Sequence, residues 1–443
     1  MMKFFQTIKN IFKIEDLRAR LIYTLAIITL YRLGKYISLP GIDPSQLAGL
    51  KSQTSSGIMG LLDMFSGGAF SQASVFALGI MPYISASIVV QLLGIVFPYF
   101  QKLQKEGESG RRKLNQYTRY LTVGILLLQA PTYLVNLSAQ LPATAFVIQG
   151  WFFRFSSVVI LTAGTMFVMW LGERITDKGI GNGISLIIMI GIVARMPANF
   201  IFEAGTRLNG AGGPIALIVE IVILFVVILG TIMLVQGTRR VPVQYARRIV
   251  GNKQYGGVRQ YIPLKVNAAG VMPIIFAQAI MMLPIIIAGY SNASSGFVVA
   301  FSNMYGFWYN LVTGILIILF TYFYTAVTIN PVQMAEDMKK NGGFIPGIKP
   351  GRKTVEFFDT IMSRITLPGS VFLALIAILP AIVVKAGITP QFAQFYGGTS
   401  LLILVGVVLD TLQQIESHLL MRHYDGLMKS GRVKGRSGAV TSI

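Results

Sequence analysis

The sequence contains no cysteine and only two histidines among its 443 residues. Without cysteine there are no disulfides, no thiol redox chemistry and no thiolate metal sites. His418 and His423 lie close together near the C-terminus. They are too few and too local for an imidazole metal site, and they predict a polar face beside a membrane. We therefore expect no metal and no cofactor.

Charged residues are also scarce, at 12% of the chain, against roughly 25% in a typical soluble domain. Hydrophobic residues make up 53%, more apolar surface than a water-soluble chain could cover, so we expect much of it to face lipid. Acidic residues are the scarcer sign, with 17 Asp and Glu against 38 Lys and Arg. Such an excess indicates nucleic-acid binding in a soluble protein, or the positive-inside rule in a membrane protein.

The distribution of the apolar residues and the cations favours the membrane. A spanning helix needs roughly 20 mostly apolar residues. Ten segments meet or nearly meet this length: 20–38, 74–98, 118–138, 152–172, 181–198, 214–236, 267–289, 307–330, 366–386 and 397–419. Thirty Lys and Arg fall in the two termini and every second loop, against four in the other loops. We therefore predict ten transmembrane helices with both termini in the cytoplasm.

Three regions outside the spans are predicted to lie at the cytoplasmic surface. Residues 1–19 combine apolar residues at helical spacing with a basic face, which predicts an interfacial amphipathic helix. The loops 238–266 and 331–365 are long, basic and rich in Gly and Pro, so we expect them to project into water. Residues 420–443 form a basic tail.

The sequence carries no pattern typical of catalysis. It has no GxxxxGK[ST] phosphate loop, no HExxH and no GxSxG. Glycines at 179, 181 and 183 follow a membrane helix rather than a strand, which favours a tight hairpin. We expect a protein that is not an enzyme. The predicted mid-membrane positions are nearly free of charge, which argues against an ion-coupled transporter.

Several motifs, in order along nearly the whole chain, resemble the SecY family of protein-conducting channels. They are DMFSGGA (63–69), FALGIMPYISAS (76–87), KEGESGRRK (105–113), GTMF with WLGE (164–173), GIGNGIS (179–185), PLKVN (263–267), FIPG (344–347) and FYGGTSLL (395–402). One departure stands out: where the family usually has arginine in PGIRPG, this chain has Lys349. Lysine keeps the charge but loses the planar fork of arginine.

The resemblance implies an all-α, polytopic channel with two pseudo-symmetric five-helix halves, 20–213 and 214–419, around a central pore. Such a channel in the bacterial cytoplasmic membrane threads unfolded preproteins with signal sequences and releases hydrophobic segments laterally into the bilayer. The implied partners are small membrane subunits like SecE and SecG, together with the SecA ATPase and the ribosome. A secondary transporter and a pore-less membrane insertase remain alternatives.

The resemblance also implies roles for particular residues. A pore ring maps onto Ile80, Ile84, Ile188, Ile275 and Ile403. A plug covers 57–72 and includes Gly57, Asp63, Phe65, Ser66, Gly67 and Gly68. A lateral gate maps onto Ser87 and Gln91 on the second span, and onto Asn267 and Gln278, which are expected to share a face of the seventh. Loops for SecA or ribosome binding contain Arg239, Arg240, Arg247, Arg248, Lys349 and Arg352.

Overall fold

A computed structural model of the chain describes residues 14–47, 63, 66–148, 150–210, 212–245, 248–250, 253–255, 259–278, 280–281 and 303–429. Residues 1–13 of the predicted interfacial helix and 430–443 of the predicted tail lie outside this set. The described residues up to Arg195, together with those from Val407 onwards, form one compact unit, and those from Met196 to Gly406 form a second.

Six helices build most of the first unit. They are α1 (Glu15–Gly34), α2 (Met81–Val96), α3 (Pro98–Lys105), α4 (Glu108–Gln140), α5 (Trp151–Lys178) and α6 (Gly183–Val193). Their core joins α4 and α5 to the irregular chain after α1, with Leu39, Phe70, Tyr133 and Leu161 among its buried members. The irregular segment that precedes α2 is therefore part of the core of this unit.

The second unit combines helices with a small sheet. Its helices are α7 (Met196–Leu208), α8 (Gly213–Gln236), α9 (Phe307–Thr328), α10 (Pro331–Lys340), α11 (Arg352–Lys385) and α12 (Pro390–Ala393). A last helix, α13 (Gly398–Lys429), belongs to the second unit up to Gly406 and to the first beyond it. Residues from α8, α9, α11 and α13 meet in a shared apolar core that includes Leu234, Ile317 and Leu373.

Among the described residues, seven helical stretches are long and apolar enough to cross a membrane, with α6 and α7 counted together as Gly183–Leu208 and α9 and α10 as Phe307–Lys340. The number is eight if the bent pair α2 and α3 counts as one span. The most apolar 18 residues of α8 have a mean hydropathy of 3.1, and only 17% of them are buried, as expected of a helix that faces lipid. Charged residues at both ends of α1 exclude it from this count. The seventh predicted span, 267–289, is described only in part, so the total of ten stays a prediction.

Two predicted spans begin later than expected. The second span was expected from residue 74, but α2 starts at Met81. Gly79 has a φ of +56°, which glycine adopts without strain, and Pro82 lies in the first turn, where its missing N–H leaves no bond unmade. Likewise, the residues after Asn267 form turns, Gly270 has a φ of +63°, and helix begins only at 272. Asn267 therefore does not share a helix face with Gln278, contrary to our expectation.

The two predicted cytoplasmic loops are more structured than expected. Loop 238–266 contains β1 (Thr238–Tyr245), β2 (Arg248–Val250), β3 (Lys253–Tyr255) and β4 (Arg259–Lys265), and loop 331–365 contributes α10 and β5 (Gly343–Phe344). Strand β1 lies between β4 and β5, antiparallel to both. Its inward-facing Val241 and Val243 pack with Met338 of α10 and Phe358 of α11. The two loops thus form one small folded subdomain.

The chain passes from the first unit to the second between Arg195 and Met196, whereas the resemblance divides the halves at 213/214. Helix α7 belongs to the second unit because its two charged side chains are bonded there. Arg207 donates from Nε to Glu203 Oε1 at 3.0 Å and from Nη2 to Glu220 Oε1 at 2.6 Å and the Gly387 carbonyl at 2.7 Å. Glu203 also accepts from the Thr389 backbone N–H at 3.0 Å and from its hydroxyl. Glu203, Arg207 and Glu220 are all buried.

This network predicts a large loss of stability when its cation is removed. Arg207→Gln leaves two carboxylates buried without a counter-charge, and breaking a buried pair in this way costs about 3–5 kcal/mol. We expect a much lower midpoint of thermal unfolding in detergent. The matched control is Arg112→Gln, which removes a solvent-exposed pair to Glu108 worth about 0.3–0.5 kcal/mol. Equal shifts for the two variants would contradict a structural role for the network.

Candidate functional site

The chain from the second half of the predicted plug to α2 is buried although it is not helical. Residues 66–80 form successive turns, and most of them are inaccessible to solvent. Buried backbone groups outside regular structure need bonds of their own, and the first unit supplies them. Leu39 donates its N–H to the Ala73 carbonyl at 2.8 Å, and Val75 donates to the Ile37 carbonyl at 2.9 Å. The segment is therefore fixed along the chain that follows α1.

Asp63 organises the start of this segment and is itself 1% exposed. Its Oδ1 accepts the Ser71 backbone N–H at 2.8 Å, and its backbone carbonyl accepts the Gly68 N–H at 2.7 Å. Its Oδ2 forms an ion pair with Arg195, which follows the end of α6. One carboxylate thus closes the local turn and joins it to another helix.

Two tyrosines hold the same turn through its carbonyls. Tyr31 of α1 donates its hydroxyl to the Ser66 carbonyl at 3.2 Å, and Tyr133 of α4 donates to the Phe70 carbonyl at 3.0 Å. Arg32 adds a bond from Nη1 to the Gly67 carbonyl at 3.3 Å. The turn is therefore bonded to two helices, α1 and α4, as well as to Arg195 after the end of α6.

The paired glycines permit this close approach. Gly67 has a φ of +66°, and a Cβ there would lie 2.9 Å from the Gly191 Cα of α6. Gly68 has a φ of +89°, and a Cβ there would lie 2.9 Å from Lys35 Nζ and 3.3 Å from Arg195 Nε. A larger residue at either position would be strained and would collide with its neighbours. Gly57 and Phe65, the other predicted plug residues, lie outside the described part of the chain.

The predicted pore residues are distributed over both units. Ile80 caps α2, and its carbonyl accepts the Ile84 N–H at 3.1 Å, which continues the helical path that the four-residue spacing predicts. Ile80 and Ile188 are buried, and Ile84 is partly buried, in the first unit. Ile275 is partly buried and Ile403 is buried in the second. The pore ring itself stays a prediction.

The predicted gate residues are polar and largely covered. Gln91 donates its side-chain amide to the Ser87 hydroxyl at 3.4 Å, so the two are paired along one face of α2. Gln278 is partly buried on its helix. Asn267 is 9% exposed, and its Oδ1 has no hydrogen-bond partner among the residues that the structure describes. The gate also stays a prediction.

The predicted partner-binding cations point into solvent from the folded subdomain. Arg239 and Arg240 are exposed at the start of β1, opposite Leu264 and Pro263 of β4. Lys349 is exposed, and Arg352 is exposed while it pairs with Glu356 at 3.4 Å. Arg247, together with the side chain of Arg248, lies outside the described residues.

Reasoning from the sequence missed the partners of the plug segment, namely Tyr31, Arg32, Tyr133 and Arg195. For one of them, Arg195, the sequence did contain a feature that could have indicated a special role. Arg195 is one of only four cations in loops predicted to be non-cytoplasmic, where the positive-inside rule gives no reason for a cation. Arg207 is another, and it too forms buried ion pairs.

Comparison with known proteins agrees with the motifs. The family model SecY matches residues 74–412. A protein translocase subunit SecY of Corynebacterium glutamicum is 43% identical over 438 residues, covering 94% of this chain and 98% of that one. A protein of the same name from Mycobacterium tuberculosis is 45% identical over 442 residues, covering 94% and 97%. The chain belongs to the SecY family.

Solved structures share the fold of this SecY-family chain. One is a SecY whose plug domain is described as stabilising the closed state of the translocation channel and maintaining a membrane seal; it has a TM-score of 0.62 at 18% identity and covers 90% of this chain and 92% of its own. Sec61 from a canine ribosome–channel complex has a TM-score of 0.58 at 18% identity, with the same coverage. The chain is therefore an all-α, polytopic protein-translocation channel and not an enzyme.

Proposed function

We propose that this chain is the central subunit of a bacterial Sec translocase, and that residues 57–72 are its plug. The observation that carries the proposal is the buried, irregular segment 66–80, bonded by directional contacts, with Asp63 before it and an isoleucine-bearing helix after it. A non-helical backbone is tolerated at membrane depth only inside protein or beside a water-filled cavity. A plug that packs inside the protein at rest and moves beside a water-filled pore when the channel opens would satisfy this requirement in both states.

Ile80, Ile84, Ile188, Ile275 and Ile403 are proposed to form the constriction. A pore through which an unfolded chain slides must offer no hydrogen bonds that hold the chain, and it must exclude ions when idle. Apolar constrictions gate by dewetting, and β-branched side chains are stiff at their first torsion in a helix. Ser87, Gln91 and Gln278 are proposed to contribute to the lateral gate, since uncharged polar contacts between membrane helices are worth only ~0.6–2 kcal/mol and can open. Asn267 contributes from the turn before the seventh span.

The partners follow from family membership and the basic subdomain. Sec61 in the ribosome–channel complex occurs with a ribosome, and exposed arginines on β1 suit the phosphates of RNA. We propose that this chain binds a ribosome or a SecA-like ATPase through Arg239, Arg240, Arg247, Arg248, Lys349 and Arg352. SecE-like and SecG-like subunits complete the complex in the cytoplasmic membrane, with both termini of the chain inside.

Deleting residues 57–72 tests the proposed plug. We expect a complex that still translocates preproteins but conducts ions in bursts at rest, because nothing then occludes the constriction stably. Single-channel recording in planar bilayers measures this. The control deletes residues 434–443 of the predicted basic tail, which should leave the channel quiet. Recordings of the plug deletion as quiet as wild type would remove the plug assignment.

Replacing Ile84 and Ile188 together by glycine tests the ring. The constriction should widen and hydrate, so resting ion conductance rises while preprotein translocation is largely retained. The control pair is Ile218→Gly with Ile221→Gly, both exposed on the lipid-facing surface of α8. If the ring variant abolished translocation and left the resting membrane tight, both isoleucines would be packing or binding positions.

Reversing two charges on β1 tests the partner surface. Arg239→Glu with Arg240→Glu should weaken ribosome or ATPase binding, most strongly at low salt, because screening hides both attraction and repulsion at high ionic strength. The control is Arg112→Glu with Lys113→Glu, which makes the same change in charge at exposed positions outside the subdomain and should weaken binding less. Co-sedimentation at two salt concentrations measures both. If the affinity at low salt were unchanged, the two β1 arginines would contribute to membrane topology and not to partner binding.

A further inference from the structure

The two partners of the ion pair between Asp63 and Arg195 differ in how far they are exposed to solvent. The side chain of Asp63 is 2% exposed, whereas that of Arg195 is 28% exposed. Asp63 is also tied to its own turn by the Ser71 N–H at 2.8 Å and by the Gly68 N–H, which donates to its carbonyl at 2.7 Å. The carboxylate therefore belongs to the buried turn, and the partly exposed arginine follows the end of α6.

Two further cations lie beside the turn that follows Asp63. Arg32 Nη1 donates to the Gly67 carbonyl at 3.3 Å, and the position of a Cβ on Gly68 is 2.9 Å from Lys35 Nζ. Three cations thus approach a short backbone stretch that carries one described anion. An uncompensated carboxylate at this depth would be driven towards water, because burying an isolated charge is unfavourable.

From this geometry we infer that the Asp63–Arg195 ion pair is an electrostatic latch that keeps the plug segment seated in the first unit. The inference rests on the proposed plug. When the pair is closed, each charge compensates the burial of the other. When the plug leaves, both groups become hydrated, and hydration offsets most of the lost attraction. A latch of this kind holds the resting state without a large barrier to opening.

The two ends of the latch predict unequal single-mutant effects. Arg195→Gln leaves Asp63 buried and unpaired, so we expect the resting ion conductance to rise by about tenfold or more. Asp63→Asn keeps an oxygen that can accept the Ser71 N–H and leaves Arg195 with its partial exposure, so its effect should be smaller. Arg195→Lys retains a cation and should stay near wild type.

The decisive experiment combines the substitutions. In the double variant no buried charge remains unpaired, so Asp63→Asn should suppress the leak of Arg195→Gln to within about twofold of Asp63→Asn alone, as expected for coupled rather than additive sites. Arg154→Gln, an exposed arginine of α5, is the matched control and should not leak. All variants are recorded in the full complex, after its amount in the membrane and its preprotein translocation have been measured.

The outcomes separate the latch from the plug. If the deletion of 57–72 leaks but Arg195→Gln stays quiet, the plug assignment holds and the latch is wrong. If neither variant leaks, the plug assignment itself fails. Leaks that add in the double variant would also overturn the latch, as would a loss of complex from the membrane in Arg195→Gln that Asp63→Asn does not reverse.

Discussion

Both units depend on one constraint, that a charged group taken out of water needs a counter-charge beside it. In the first unit Arg195 compensates Asp63, and in the second Arg207 compensates Glu203 and Glu220. Such pairs add little net stability, because desolvation offsets most of the attraction, but losing one partner is strongly unfavourable. They therefore fix which segments lie together. The apolar surface that surrounds them could not do this, since hydrophobic contact is not directional.

Most of the helical architecture could be predicted from the sequence, and the exceptions have local causes. Long apolar runs such as α8 have only one good solution in lipid, a helix that bonds its own backbone. Residues 74–80 are just as apolar, yet Gly79 takes a positive φ and the chain turns instead. Strand β1 could not be predicted from the sequence, because it contains Pro242, and a proline argues against the interior of a strand. It is tolerated because β5 pairs with β1 only at Gln244 and Tyr245.

The candidate site was predictable only in part. Motifs indicated where the proposed plug lies, and its glycines agree with the close approach to Gly191 and Lys35. The residues that bond to the proposed plug could not be predicted from those motifs, because Tyr31, Tyr133 and Arg195 are distant in sequence and common in type. The one physical signal was topological: Arg195 and Arg207 are cations on the side where cations are rare, and each proves to be paired with buried carboxylates.

The same contacts explain how a plug can be both tight and removable. Phe70 of the proposed plug packs in the apolar core of the first unit, but a segment held only by large apolar side chains would lose its full hydrophobic stabilisation on entering a hydrated pore, at about 25 cal/mol for each Å² exposed. Hydrogen bonds from tyrosines and an ion pair are exchanged for bonds to water with a small net change in free energy. Glycines at 67 and 68 bring the backbone close enough for those bonds without adding apolar area. Selection for a reversible seal therefore favours a small, polar and glycine-rich turn, anchored by one buried charge, in front of a constriction that is apolar throughout.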